Sequence, residues 1–138
     1  MTEPAPSEWP ELHATRTPVP AVDRASLPVG PGVIAFYRRG RAVWFGRSAG
    51  LRATFTQAFA TTGPSAVSPL RRAVAIFLDL APPLAIRTGR YRPPAEDHAL
   101  ISAWLRDCEV GWKATPGERE AVELEFRLLR EPSTTRSA

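Results

Sequence analysis

Two short apolar runs, VIAFY at 33–37 and AVWF at 42–45, are separated only by Arg38, Arg39, Gly40 and Arg41. Runs this short, rich in β-branched and aromatic residues and joined by a glycine-containing turn, leave little alternative to a β-hairpin. A two-stranded hairpin is marginal in water and needs a third strand or covering helices. The rest of the chain must supply them.

The spacing of apolar residues predicts those partners. After Gly46 the pattern predicts a loop and then a helix over about 49–60, with Leu51, Phe55, Ala58 and Phe59 on one face. Residues 61–68 read as loop and about 70–80 as a second helix. A Pro/Gly/Arg-rich loop then runs through Pro94. A helix over 95–107 carries Leu100, Ile101 and Trp104, and 108–114 reads as a third short strand. A last helix runs to about residue 130, with Thr115 as N-cap, Pro116 in the first turn and Glu118 completing a capping box. The expected fold class is therefore α/β: a small, mainly antiparallel three-stranded sheet flanked by helices.

Residues 1–31 hold seven of the fifteen prolines and few bulky apolar groups. Such a segment buries too little surface to offset its ordering entropy. The expected organisation is an extended arm over 1–27 without regular structure, a domain over 28–131 and a polar tail over 132–138. Trp9 and Leu12 are the two residues able to pin the arm. The 138 residues suffice for one domain with a real core, and 43% are hydrophobic.

Several classes are disfavoured by composition. No stretch approaches the ~20 apolar residues of a membrane span, so no membrane partner is expected. The N-terminus lacks the basic start and apolar run of a secretory signal. Cys108 is the single cysteine, so no internal disulfide forms, and with only His13 and His98 beside it a structural zinc site is unsupported. The expected setting is a reducing cytoplasm.

Charge is unevenly placed. Residues 38–92 contain ten arginines and one acid, Asp79, for +9, while the rest carries −5 within the total of +4. Lys113 is the single lysine. Guanidinium forks suit phosphate, which points to DNA or another polyanion as partner, through Arg38, Arg39, Arg41, Arg47, Arg52, Arg71 and Arg72. The competing reading is a solvating charge with the arginine bias of a GC-rich genome.

The hairpin and its flanks carry a resemblance. LPVGPGVIAFY at 27–37, VWFGRSAGLRATF at 43–55 and EREAVELEFRLL at 118–129 resemble the two motif strands, following helix and closing helix of the GIY-YIG nuclease superfamily. The form is similar to the N-terminal domain of the bacterial excision-repair incision subunit and its free-standing relatives. The resemblance implies phosphodiester cleavage with one divalent metal, Mg²⁺ or Mn²⁺: a tyrosine activates water, an arginine stabilises the phosphoryl charge, and a closing-helix glutamate holds the metal. On these positions the two motif tyrosines fall on Ile34 and Trp44, the arginine on Thr54 and a further tyrosine or histidine on Ala58. The family's late asparagine has no counterpart in the tail. Arg47, after the second motif's glycine, and Glu125, at the metal-binding glutamate, remain.

Glu125 stands out from the residues alone. At helical periodicity it falls among Ala121, Val122, Leu124, Leu128 and Leu129, whereas Glu120 and Glu123 do not. A carboxylate aimed at a core needs a metal, a cation or hydrogen-bond donors. The competing reading to a metal ligand is a salt bridge with Arg47 or Arg52. Arg52 should face away from Thr54, and Tyr37 lies on the opposite side of its strand from Ile34, so neither replaces what is missing. Gly30-Pro31-Gly32 does not extend to a dinucleotide fingerprint. Trp44, Trp104 and Trp112 read as core, and Cys108 as a small buried apolar residue.

Losing one preorganised charge stabiliser costs ~10²–10³ in rate. Three readings follow: an inactive or very weak module that binds polyanions, an active endonuclease with an altered metal site at Glu125, or a ligand or protein-interaction module using an apolar cleft of Ile34, Trp44 and Thr54.

Overall fold

The computed structural model describes residues 9–131; the outer parts of the expected arm and the whole expected tail lie outside them. A four-stranded antiparallel sheet has the order β1-β4-β2-β3, with β1 at Thr17–Pro18, β2 at Gly32–Arg38, β3 at Arg41–Ser48 and β4 at Glu109–Ala114. Among the described residues six α-helices accompany it: α1 Trp9–Ala14, α2 Leu51–Gln57, α3 Pro69–Phe77, α4 Pro83–Arg87, α5 Ala95–Arg106 and α6 Glu118–Leu129. The sheet has one strand more than the three expected, and that strand comes from the segment expected to be an unstructured arm.

The hairpin forms where the alternation requires. Arg38 pairs with Arg41 across a turn in which Arg39 (φ 54°) and Gly40 (φ 79°) are both left-handed, the geometry that matches the twist of the flanking strands. β3 then continues through Gly46 to Ser48, past the expected loop, because its backbone keeps pairing with β2 as far as Gly32. Register shifts by one residue between Phe36 and Tyr37, leaving Val43 as the extra residue.

Period-two alternation divides the core between the faces of the sheet. Ile34, Phe36 and Val110 join Leu51, Phe55, Leu70, Val74, Ile101 and Leu105 on one side. Val33, Ala35 and Tyr37 meet Trp9, Leu12, Leu124 and Leu128 on the other. Layers of helix, sheet and helix result.

Trp9 and Leu12 explain the corrected arm. Both are buried, Trp9 Nε1–H donates to the Leu128 carbonyl at 3.3 Å, and α1 lies directly on β4. That approach depends on Gly111, where an added Cβ would sit 2.4 Å from the Leu12 carbonyl oxygen. The Thr15 hydroxyl continues the seam, donating at 2.9 Å to the Trp112 carbonyl and accepting at 2.8 Å from its N–H.

Two other local expectations are corrected. The N-cap of α6 is Gly117, not Thr115, whose hydroxyl donates to the Gly117 carbonyl at 2.9 Å; Glu118 opens the helix instead of closing a capping box. Thr115 N–H is held by the Pro31 carbonyl at 3.0 Å, which keeps it with the strand end. The loop expected before Pro94 contains the short helix α4, begun by Pro83 in its first turn.

A candidate cleft at the edge of the sheet and the fate of the arginines

β3 is one edge of the sheet, opposite the two-residue β1, and an edge strand exposes backbone N–H groups that need partners. Glu125, on α6, reaches that edge. Its Oε2 accepts from Arg47 N–H at 2.9 Å and its Oε1 from the Arg47 guanidinium at 3.2 Å. The Arg47 side chain is 59% exposed and that of Glu125 21%. On α6 the residues sealed in the core are Ala121, Leu124 and Leu128; Leu129, expected on the same arc, is exposed, so Glu125 lies at the rim of the apolar face.

Around this pair opens a cleft of about 470 Å³. Trp44, Arg47, Thr54, Ala58 and Glu125 all line it, so five positions singled out by the motif comparison meet in one place. Ile34 does not: it is fully buried beneath, on the Trp44 face of the sheet. Trp44 can lie across β3 because Gly46 has no side chain; a Cβ there would be 2.8 Å from the indole. The Thr54 and Ser48 hydroxyls are 2.6 Å apart, and Ser48 also accepts from Gly50 N–H at 3.0 Å, so Thr54 is tied into the start of α2.

The expected apolar cleft thus loses Ile34 from its lining but keeps Trp44 and Thr54, joined by Phe45, Ala58, Pro69 and Leu70, with the Arg47–Glu125 pair at its side. As a metal site it fits poorly. Both oxygens of its one carboxylate already accept from Arg47, while Mg²⁺ or Mn²⁺ asks for near-octahedral oxygen coordination. Among the described residues, no three histidine, cysteine, aspartate or glutamate side chains come together. Arg47 is the partner Glu125 takes. Arg52 is occupied elsewhere, donating to the Leu27 carbonyl at 3.1 Å and the Ala25 carbonyl at 2.9 Å.

The arginines of 38–92 are not all exposed. Arg71 is the largest correction: it is 1% exposed, with Nε donating to Ala66 O at 3.2 Å. Its two terminal nitrogens donate to Ala58 O at 2.9 Å, Ser102 Oγ at 3.0 Å and His98 O at 3.0 Å, and one lies 3.4 Å from His98 Nδ1. Such a side chain organises α3 against α5 and cannot reach a polyanion. Arg38 is half-buried, its guanidinium 4.9 Å from the centre of the Trp104 ring. Arg39 and Arg41 stand exposed on the hairpin turn, Arg72 is half-buried, and Arg87 and Arg90, not singled out from the sequence, are exposed on and after α4. Of the ten arginines, Arg47 alone has an ion pair among the described residues.

The remaining candidates settle as core. Trp104 and Trp112 are half-buried against the first core. Cys108 is 1% exposed, and burial, the largest cause, pushes its thiol up to about 11, against ordinary reactivity. Among the described residues no helix is long and apolar enough to cross a membrane. No family model matches the chain, and no curated protein or solved structure matches it.

Proposed function

We propose that this chain is a catalytically silent GIY-YIG-like module that binds the phosphate backbone of DNA or a similar polyanion through exposed arginines. The observation that carries the reading is the lack of carboxylate partners: only Arg47 of the ten arginines in 38–92 is paired within the described residues. Arg39 and Arg41 on the hairpin turn, with Arg87 and Arg90 at α4, have neither an ion pair nor a buried anchor. Guanidinium groups left with water as their partner are available to phosphate oxygens.

Silence follows from the cleft's chemistry. Trp44 and Ala58 supply no proton acceptor, Thr54 is a neutral hydroxyl already bonded to Ser48, and Ile34 is out of reach. Both Glu125 oxygens accept from Arg47. A phosphoryl transition state needs a positioned water and an uncommitted cation.

Fluorescence anisotropy with a labelled duplex tests binding. Affinity should fall with salt at a log–log slope of about −0.9 per phosphate contacted. Arg39→Ala with Arg41→Ala, and separately Arg87→Ala with Arg90→Ala, should lower affinity for all sequences alike. No binding at low salt would overturn the reading. Incubation of supercoiled plasmid with Mg²⁺ or Mn²⁺ tests silence: nicking by the wild type that vanishes in Glu125→Gln would establish an active site.

A further inference from the structure

A second cavity, about 390 Å³, opens between the segment preceding α3, the loop after α4 and the start of α5. It is distinct from the cleft at the β3 edge and shares none of its lining residues. Its walls combine Ala75, Ile86 and Ile101, all buried, with Arg71, Arg72, Arg92 and His98. No carboxylate lines it.

The charge balance here is unusual. Arg71 is sealed from water, yet every acceptor around it is neutral: three backbone carbonyls, the Ser102 hydroxyl and the His98 ring. A guanidinium does not give up its proton at ordinary pH, so the cation persists although burial and then the Arg106 charge press its pKa downward. A buried cation with no counter-charge is costly even when fully hydrogen-bonded. The neighbouring carboxylate, Asp97, accepts from the Tyr91 hydroxyl, acts on His98 and not on Arg71, and does not line the space. Arg72 and Arg92 add two more positive charges at the same cavity, and neither has an ion pair among the described residues. His98 contributes no balancing charge. Its Nδ1 faces an Arg71 N–H and must accept, which leaves the neutral ring's proton on Nε2 as a donor.

We propose that this cavity binds a small organic anion: a phosphate or carboxylate head received by Arg72, Arg92 and the Nε2–H of His98, above the buried Arg71 charge, with an apolar body against Ile86 and Ile101. The volume lies in the range that holds ligands of fragment to nucleotide size. It is too small to admit a duplex, so the site goes beyond surface binding of a polyanion. Arg71 itself has all five N–H groups committed. Its part is to set the field and to hold α3 against α5, a positioning role that leaves direct contacts to the other three side chains.

The test is calorimetry on the full chain at constant ionic strength, with phenyl phosphate, benzoate, inorganic phosphate and phenol as probes. The expected result is one-to-one binding of phenyl phosphate or benzoate, about tenfold or more tighter than inorganic phosphate or phenol, since both head and body contribute. Whichever of the first two binds tighter distinguishes a phosphate from a carboxylate head. Arg72→Gln with Arg92→Gln should weaken that binding by about tenfold or more, as loss of charge-assisted hydrogen bonds does. Arg119→Gln, which removes an exposed charge on α6, should leave it unchanged. Thermal melts of both variants check that the fold is kept. Absence of binding by both ring-bearing anions, or affinity indifferent to Arg72 and Arg92, would overturn the inference. Duplex binding measured in parallel separates it from the polyanion reading: loss of the small-anion signal with duplex binding intact removes the cavity site alone, and the converse removes the polyanion reading alone.

Discussion

Arg47 and Arg71 belong to the same arginine-rich stretch and meet opposite fates. Arg47 is largely exposed and has a full carboxylate partner in Glu125. Arg71 is sealed in and has none. Where water is available, a charge needs no partner, so the Arg47–Glu125 pair adds little beyond covering an edge N–H. Where water is excluded, every N–H must be satisfied and the net charge still weighs on the fold. The charges at the edge cleft are thus matched within the described residues, whereas those lining the cavity beside Arg71 are not.

The largest expected effect that would test this contrast is Arg71→Met. The substitution removes the donors to two buried carbonyls, the partly buried His98 carbonyl and the Ser102 hydroxyl, and each group left without a partner costs about 1 kcal/mol or more. Relief of the buried charge offsets only part of this. Loss of about 3 kcal/mol in urea denaturation is expected, against less than about 1 kcal/mol for Arg47→Met. Equal losses would break the comparison.

A smaller effect concerns pH. Burial, and next the Arg71 charge, lower the pKa of His98, with Asp97 opposing. The unfolded chain takes up a proton near the ordinary value of 6.5 while the folded ring resists it. The contribution of His98 to stability is therefore full above about pH 6.5 and is lost as the pH falls from there through the lower folded value. His13, lowered by burial and then by Arg16, acts in the same direction. Asparagine at position 98 can still accept from Arg71, so His98→Asn should flatten the loss between about pH 7 and pH 5, read from denaturation midpoints. An unchanged pH profile would show that His98 is not held neutral by its neighbours.

How much of this was legible follows from which signals are local. The hairpin, α5 and the body of α6 came through because alternation and helical periodicity report directly on a half-buried surface. α1 did not, since two apolar residues in a proline-rich stretch say nothing of what they meet; its partner signal was Gly111, a glycine inside a strand, where a backbone can approach closely. Arg71 looked like any other residue of an arginine run. Its signal was nonetheless present: at helical spacing it falls between Val74 and Ala75, both buried, and on the side of Leu70. The same test that picked out Glu125 would have picked out Arg71. The motif positions converged on one cleft except for Ile34, whose strand turns it into the core.

Glu125→Gln should have the smallest effect, and its sign carries the most information. Glutamine keeps an oxygen that can accept from Arg47 N–H on the edge strand, so the edge stays covered. What disappears is a 3.2 Å ion pair to a guanidinium that is mostly in water. Exposed pairs of this kind contribute about 0.2–1 kcal/mol and weaken with salt. A slight destabilisation is expected, shrinking further at high ionic strength, measured by thermal melts of the two proteins side by side. Loss of more than about 2 kcal/mol would mean that the carboxylate is far more enclosed than its 21% exposure implies. A gain in stability would matter more. Carboxylates held for chemistry commonly strain the fold, and removing them relieves it. A stabilised Glu125→Gln would therefore return the edge cleft to the status of a working site, whereas the slight loss expected here marks the pair as architecture.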